Sequence, residues 1–218
     1  MKEKKIRITF TEDCLGTASA DPELHSRFIA SNAPDAPSRE EEIAAVGADE
    51  VEERAMTVFP RDEDGNPIFW DYQIKGFFKD ACSALQRMKG EEMAKESCKL
   101  KAYKKIIDGC IFTFPRKIRI NMAGEIGDLQ RPLRAQTSQG ERVALAHSET
   151  IPAGSTIEFT IKTPDIYEPV VMEWLEYGQF KGLGQWRNAS FGRFTYEFLD
   201  NHKKTGEVIT ENDGKAET

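Results

Sequence analysis

The chain has 218 residues, with 37 acidic against 30 basic side chains and a formal charge of −7. That length suits one domain carrying insertions, and 39% hydrophobic with 31% charged residues allows a core beneath a heavily ionised surface. There is no run of about 18 apolar residues, so a membrane-spanning helix is excluded. Met1-Lys2-Glu3-Lys4-Lys5 runs straight into a strand pattern without a signal-peptide profile, so a cytoplasmic location is expected.

The four cysteines, Cys14, Cys82, Cys98 and Cys110, have no Cys-x-x-Cys spacing and read as reduced thiols. His25, His147 and His202 are far apart, so neither a metal site nor a cofactor is implied. Charge is unevenly spread. Asp21 to Ala55 holds ten acidic and three basic residues, whereas Lys95 to Arg119 holds eight basic and two acidic. A basic segment on an acidic chain is either a local phosphate footprint or a solvated helix face.

In chain order, Lys5–Phe10 alternates as a half-buried strand, with Ile6, Ile8 and Phe10 on one face. Asp21–Asn32 has helical spacing. A Pro-rich break at 33–38 follows, then an acidic helix over Ser38–Val46 with a capping box from Ser38 to Glu41. Residues 20–54 read as an acidic insertion outside the sheet. Ala55–Phe59 is a short strand. Arg61 to Pro67 is a turn rich in Asp, Gly and Asn, which suits turn chemistry better than an incomplete calcium loop. Ile68–Trp70 is extended.

Tyr72–Met88 is the strongest helix, with Ile74, Phe77, Phe78, Ala81, Leu85 and Met88 in one apolar stripe and Gly76 inviting a close neighbour. A polar segment over 89–99 is expected to be mobile. Leu100–Ile107 is a short basic helix with Lys101, Lys104 and Lys105. Cys110–Phe114 and Lys117–Asn121 are strands broken at Pro115, and Arg116, Lys117 and Arg119 lie at and beyond that break. Leu129–Thr137, carrying Arg131 and Arg134, pairs with Val143–Ile151 across a Gln139-Gly140 turn. Ser155–Lys162 alternates. Asp165–Phe180 is a helix with Ile166, Val170 and Trp174 on one row, and Phe194–Phe198 is the last strand. Between them lies a stretch, Gly182 to Phe194, with three glycines, Arg187, Arg193, Trp186 and Phe191. Its two readings are a phosphate-binding loop and a structural turn with solvated arginines. The tail from Asn201 is polar and expected to be disordered.

Strands mixed with two long helices predict an α+β fold of ferredoxin-like or RRM-like type. Its antiparallel sheet would carry helices on one face, plus the insertion and extra β-hairpins, in a single domain over 1–200.

Three blocks in this order resemble the RAMP superfamily, the ferredoxin-like proteins that form the RNA-binding backbone of CRISPR effector complexes. The first is Ile6-Arg7-Ile8-Thr9-Phe10 running to Leu15-Gly16-Thr17-Ala18. The second runs from Arg61-Asp62 through Gly65-Asn66-Pro67 to Ile74-Lys75-Gly76-Phe77-Phe78-Lys79. The third is Gly182 to Arg193, ending Ser190-Phe191-Gly192-Arg193. The blocks make up about a third of the chain. The chain also resembles small proteins encoded by phages and prophages.

The resemblance implies binding of single-stranded RNA or DNA, with Lys75, Lys79, Arg187 and Arg193 on phosphates and Trp186 and Phe191 as stacking candidates. It also implies contacts with effector subunits or with further copies head to tail. The pattern departs from the cleaving members: Glu53 to Phe59 lacks their aspartate, and His25 lies in the helical stretch Asp21–Asn32 of the acidic insertion. A non-enzymatic nucleic-acid-binding protein is therefore expected. The alternatives are a phage-borne mimic of a backbone subunit that inhibits the effector complex by protein contact, and a metal-dependent nuclease using Asp62, Asp64 and Asp71.

Overall fold

A computed structural model of the chain describes residues 1–19, 56–137 and 140–199, with only the backbone described for 132–137 and 140–145. The helices expected at 21–32 and 38–46, His25, the Gln139 side of the hairpin turn and the tail from 201 lie outside the described residues.

The first strand, β1 (Lys2–Phe10), begins three residues earlier than its alternation predicts, and Ile6, Ile8 and Phe10 are buried as expected. It is followed by the short strands β2 (Cys14–Leu15), β3 (Ala18–Ser19), β4 (Thr57–Val58) and β5 (Ile68–Trp70). Helix α1 (Asp71–Leu85) buries Ile74, Phe77, Phe78, Ala81 and Leu85, the predicted stripe. It stops one turn short of expectation. At this end the Gln86 side-chain amide donates to the carbonyls of Ser97 and Leu100 at 3.1 and 2.9 Å, and Met88, beyond the helix, leaves the stripe and is 40% exposed. Gly76 faces open space rather than a close neighbour, which corrects the reading of that glycine.

Residues 89–99, expected to be mobile, fold as two 3₁₀ turns, Glu92–Ala94 and Ser97–Lys99. The Glu173 carboxylate accepts hydrogen bonds from the backbone N–H groups of Glu96 and Ser97 and from the Ser97 hydroxyl, and the Trp174 indole donates to that same hydroxyl. Helix α2 is Tyr103–Cys110, so Cys110 ends a helix instead of opening a strand. Strands β6 (Phe112–Phe114) and β7 (Lys117–Asn121) follow, then the hairpin β8 (Gly127–Thr137) and β9 (Gly140–Ile151), and β10 (Thr156–Thr163). Helix α3 is Glu168–Lys181, and β11 is Phe194–Phe198. Ile166 sits in a separate 3₁₀ turn ahead of α3 and is 76% exposed, so it does not join the buried row predicted for it.

The main sheet has the order β11-β1-β10-β7-β5, with β6 continuing the line of β7 against β10; its pairings are antiparallel. One face meets the helices: Ile6, Ile8, Phe10, Ile157, Phe159 and Ile161 pack with Ile74, Phe78, Val170, Trp174 and Leu175 in one cluster. Each wholly buried large side chain contributes about 1.5–3 kcal/mol over leaving it in water. Gly178 on α3 lets the rings of Phe77 and Phe194 approach; a Cβ there would stand 2.6 and 2.3 Å from them. The second sheet, β2-β9-β4-β3 with β8 on β9, is built round the long hairpin and includes one parallel bridge, Thr57 to Ser148. The fold is thus α+β and ferredoxin-like with extra hairpins. Among the described residues no helix is long and apolar enough to cross a membrane.

Among the described residues no helix packs on the other face of the main sheet. Strand alternation and register place Arg7, Glu158, Thr160, Lys162, Phe112, Phe114, Lys117 and Arg119 on it.

Candidate nucleic-acid interface

The glycine–arginine loop joins α3 to β11, and its shape follows from three glycines. Gly182, Gly184 and Gly192 all have positive φ, at 82°, 91° and 71°. A Cβ on Gly192 would stand 1.8 Å from the Leu183 carbonyl oxygen, and one on Gly184 would stand 2.7 Å from Cys14 Sγ. The loop therefore folds onto itself and onto β2. The Leu183 N–H donates to the Gly192 carbonyl, the Gly192 N–H to the Asp13 carbonyl, and the Cys14 thiol to the Leu183 carbonyl at 3.3 Å. Burial pushes the Cys14 thiol far above the ordinary cysteine range.

The loop's cations have partners. Arg187 donates to the Asp80 carboxylate of α1 at 2.7 Å, and Arg193 Nε donates to the Phe180 carbonyl at 3.0 Å. Trp186 and Phe191 stack on each other, ring centres 5.1 Å apart. The Arg131 guanidinium lies over the Trp186 ring, where burial lowers its pKa. Trp186 and Ser190 both adopt left-handed backbone, at φ 50° and 73°. Beside them lies an open hollow of about 370 Å³ lined by Lys181, Gly184, Gln185, Trp186, Arg187 and Asn188.

At the other candidate site, the β6–β7 end of the main sheet, cations and aromatic rings face outward. Trp70 on β5 is level with Lys117 on β7, and Ile68 with Arg119. Arg116 and Lys117 each lie 5.8 Å from the Trp70 ring centre, and Trp70 stacks on Tyr72 at 6.3 Å. Lys117 pairs with Glu63, and Arg119 donates to Asn66 Oδ1 at 2.8 Å. Along β6, Phe112 and Phe114 are 37% and 47% exposed, while Thr113 between them is buried. Lys75 lies 5.6 Å from the Phe112 ring centre and Lys162 lies 5.7 Å from that of Phe114. Further cations are close in sequence. Lys101, Lys104 and Lys105, before and on α2, are exposed, and none has a side-chain partner among the described residues. Lys79 instead pairs with Asp108 at 2.6 Å.

The middle of the open face is charge-balanced. Glu158 takes bonds from both Lys5 and Arg7, and Arg7 also reaches Glu197. Hydrogen bonds from Lys5 and Arg7 hold the Glu158 carboxyl below its usual range.

The 61–67 segment is a turn. The Asp62 carboxylate accepts the backbone N–H groups of Asp64 and Asn66 at 3.0 and 2.7 Å, besides the Asn66 side-chain amide. Among the described residues no group of three or more His, Cys, Asp or Glu side chains is placed to hold a metal ion.

The structure thus separates the candidates into two sites. Arg131, Trp186, Arg187, Phe191 and Arg193 belong to the loop; Lys75, Arg116, Lys117 and Arg119 belong to the β6–β7 end. Arg134 has only its backbone described, on β8. The sequence reading missed Phe112, Phe114, Trp70 and Tyr72. Phe112 and Phe114 flank a threonine on a three-residue strand, too short for alternation to say which face is buried.

No family model and no curated protein matches the sequence. Solved structures with a similar arrangement include a chain of a type III-B Cmr-beta complex bound to cognate target RNA, at 14% identity and a TM-score of 0.48, covering 90% of this chain and 59% of that one. They also include a chain of a type IV-B CRISPR complex, at 11% identity and a TM-score of 0.44, covering 96% and 95%. The present chain therefore spans little more than half the length of the Cmr-beta chain. Neither likeness assigns a role to any residue.

Proposed function

We propose that this protein binds single-stranded nucleic acid, RNA or DNA, without cutting it. Its principal contact is the β6–β7 end of the open sheet face, with the glycine–arginine loop as a second contact. One observation carries the reading: Arg116 and Lys117 each lie 5.8 Å from the Trp70 ring centre at the edge of the main sheet, and Arg119 follows on the same face of β7. Arginine and lysine supply the donors that phosphates need, and aromatic faces suit bases of any sequence. Lys101, Lys104 and Lys105 enlarge the positive field. At the loop, Lys181 and Arg187 border the hollow, so a phosphate there would compete with Asp80 for Arg187.

A net charge of −7 opposes this binding at long range, and salt screens that opposition over about 10 Å at 0.1 M. The local basic cluster then decides the outcome. The test is fluorescence anisotropy of labelled single-stranded RNA and DNA across a salt series. Binding to either polymer that weakens as salt rises is expected. No binding at low salt would overturn the reading.

A second reading is docking onto CRISPR effector subunits or onto another copy head to tail. It is favoured by Ile166 and Phe180, 76% and 60% exposed, near the two ends of α3. Co-purification with such a partner, free of nucleic acid, would select it.

A further inference from the structure

Several aromatic rings at or near the surface stack on one another. Trp70 stacks on Tyr72, and Trp186 on Phe191. Phe112 and Phe114 differ. They are two residues apart on β6 and so project to the same face. Both are exposed, and neither stacks on another ring among the described residues. Strand β6 pairs with β10 alone, so no described strand covers its outer edge. Two large apolar rings in water are costly unless something covers them in use.

Charge indicates what covers them. Each ring has its own ammonium, Lys75 near Phe112 and Lys162 near Phe114, at 5.6 and 5.7 Å. That is near the outer limit of about 6 Å for a cation over a ring, so neither lysine seals its ring face. Lys162 also shares a carboxylate, Glu3, at 2.9 Å, and Lys75 reaches the Asp108 carbonyl at 3.5 Å. A ring with a swinging cation beside it matches one nucleotide: the ring takes the base and the cation takes the phosphate. A purely apolar protein partner would have to bury both ammonium groups.

We infer that Phe112 and Phe114 form a stacking platform for two unpaired bases of a single-stranded polynucleotide, with Lys75 and Lys162 on the flanking phosphates. This rests on the nucleic-acid reading above and adds a base-contacting site to it. Rings about two strand residues apart, roughly 6.5–7 Å along β6, accept neighbouring bases spread from their own stack. A duplex, whose bases are already stacked, gains nothing from the platform.

The test uses the full chain with a Phe112→Leu/Phe114→Leu variant and a Phe112→Tyr/Phe114→Tyr variant, each checked for folding by circular dichroism. The probes are a labelled single-stranded RNA, its DNA counterpart, and an abasic strand that keeps the phosphates and lacks the bases. The leucine pair keeps apolar bulk and loses the π-face, so its affinity for base-bearing strands should fall roughly 10- to 100-fold. Its salt dependence should be unchanged, and its affinity for the abasic strand should equal that of the wild type. The tyrosine pair should restore binding. Comparing RNA with DNA shows whether the platform distinguishes the sugars. If the wild type binds and the leucine pair binds equally well, the platform is wrong while the nucleic-acid reading stands. If wild type binds neither polymer, both fall. If the leucine pair binds normally but loses self-association in sedimentation, the rings belong to a protein contact and the inference is overturned.

Discussion

The glycine–arginine loop and the β6–β7 end of the sheet have similar ingredients, arginines beside aromatic rings, arranged in opposite ways. In the loop the groups satisfy one another: Arg187 with Asp80, Arg193 with the Phe180 carbonyl, Arg131 over Trp186, Trp186 on Phe191. At the sheet end the rings of Phe112 and Phe114 look outward, and Arg116 is exposed beside Trp70. Residue type alone does not show whether a cation is available to a ligand. The partners within the fold decide that.

The strongest way to break the comparison is to unfold the loop. Gly192→Ala puts a Cβ against the Leu183 carbonyl at a positive φ, where a non-glycine residue alone costs about 1–2 kcal/mol. With the steric clash, a loss of about 3 kcal/mol is expected, or roughly 6–12 °C in melting temperature for a chain of this size. A variant as stable as wild type would mean that the loop is not packed as described. Gly76→Ala, facing open space on α1, should be neutral or slightly stabilising in the same melt.

Thiol labelling sharpens the same point. Burial pushes the Cys82 thiol up to about 11, and Cys14 is wholly buried beneath the loop, whereas Cys98 is exposed. At pH 8 only about one Cys82 in a thousand is thiolate. Cys98 should therefore react with a thiol reagent about a hundredfold faster than Cys82 and Cys14 in the native protein, and all four should react together in denaturant. Fast native labelling of Cys14 would show that the loop lifts off β2.

The smallest expected effect tests the balanced middle of the sheet. Glu158→Gln removes the carboxylate shared by Lys5 and Arg7, freeing Lys5 and leaving Arg7 with Glu197 alone. Affinity for single strands should rise by about two- to fivefold. The sign with pH follows. Because the folded carboxyl titrates below its unfolded value, its ion pairs are intact above that unfolded value, about 4.3, and their stabilisation is lost as pH falls through the folded one. The stability difference between wild type and Glu158→Gln should therefore shrink in acid.

Much of the fold was legible. Alternation in β1, β7, β10 and β11 showed which faces are buried, and the α1 stripe placed the main helix to within a turn. What failed was local. The end of α1 depends on Gln86 finding carbonyls at Ser97 and Leu100, and the order of 89–99 depends on Glu173, far along the chain. The candidate site was only half legible. Charge density along 95–119 pointed to Arg116, Lys117 and Arg119, but the rings round them come from β5, α1 and β6 and meet only through strand pairing. The glycine loop was conspicuous in sequence, yet its Asp80 partner lies over a hundred residues away.

The measurement that bears most directly on the account is a side-by-side salt titration of single-strand binding for wild type, Arg116→Ala/Lys117→Ala/Arg119→Ala and Arg187→Ala/Arg193→Ala. Each phosphate contact on a single strand contributes about 0.7 to the log–log salt slope, so removing three should flatten it by about 2. The sheet-end variant should lose that slope and most of its affinity, while the loop variant keeps the greater part of both. Loss confined to the loop variant, with the sheet-end variant binding like wild type, would contradict the account.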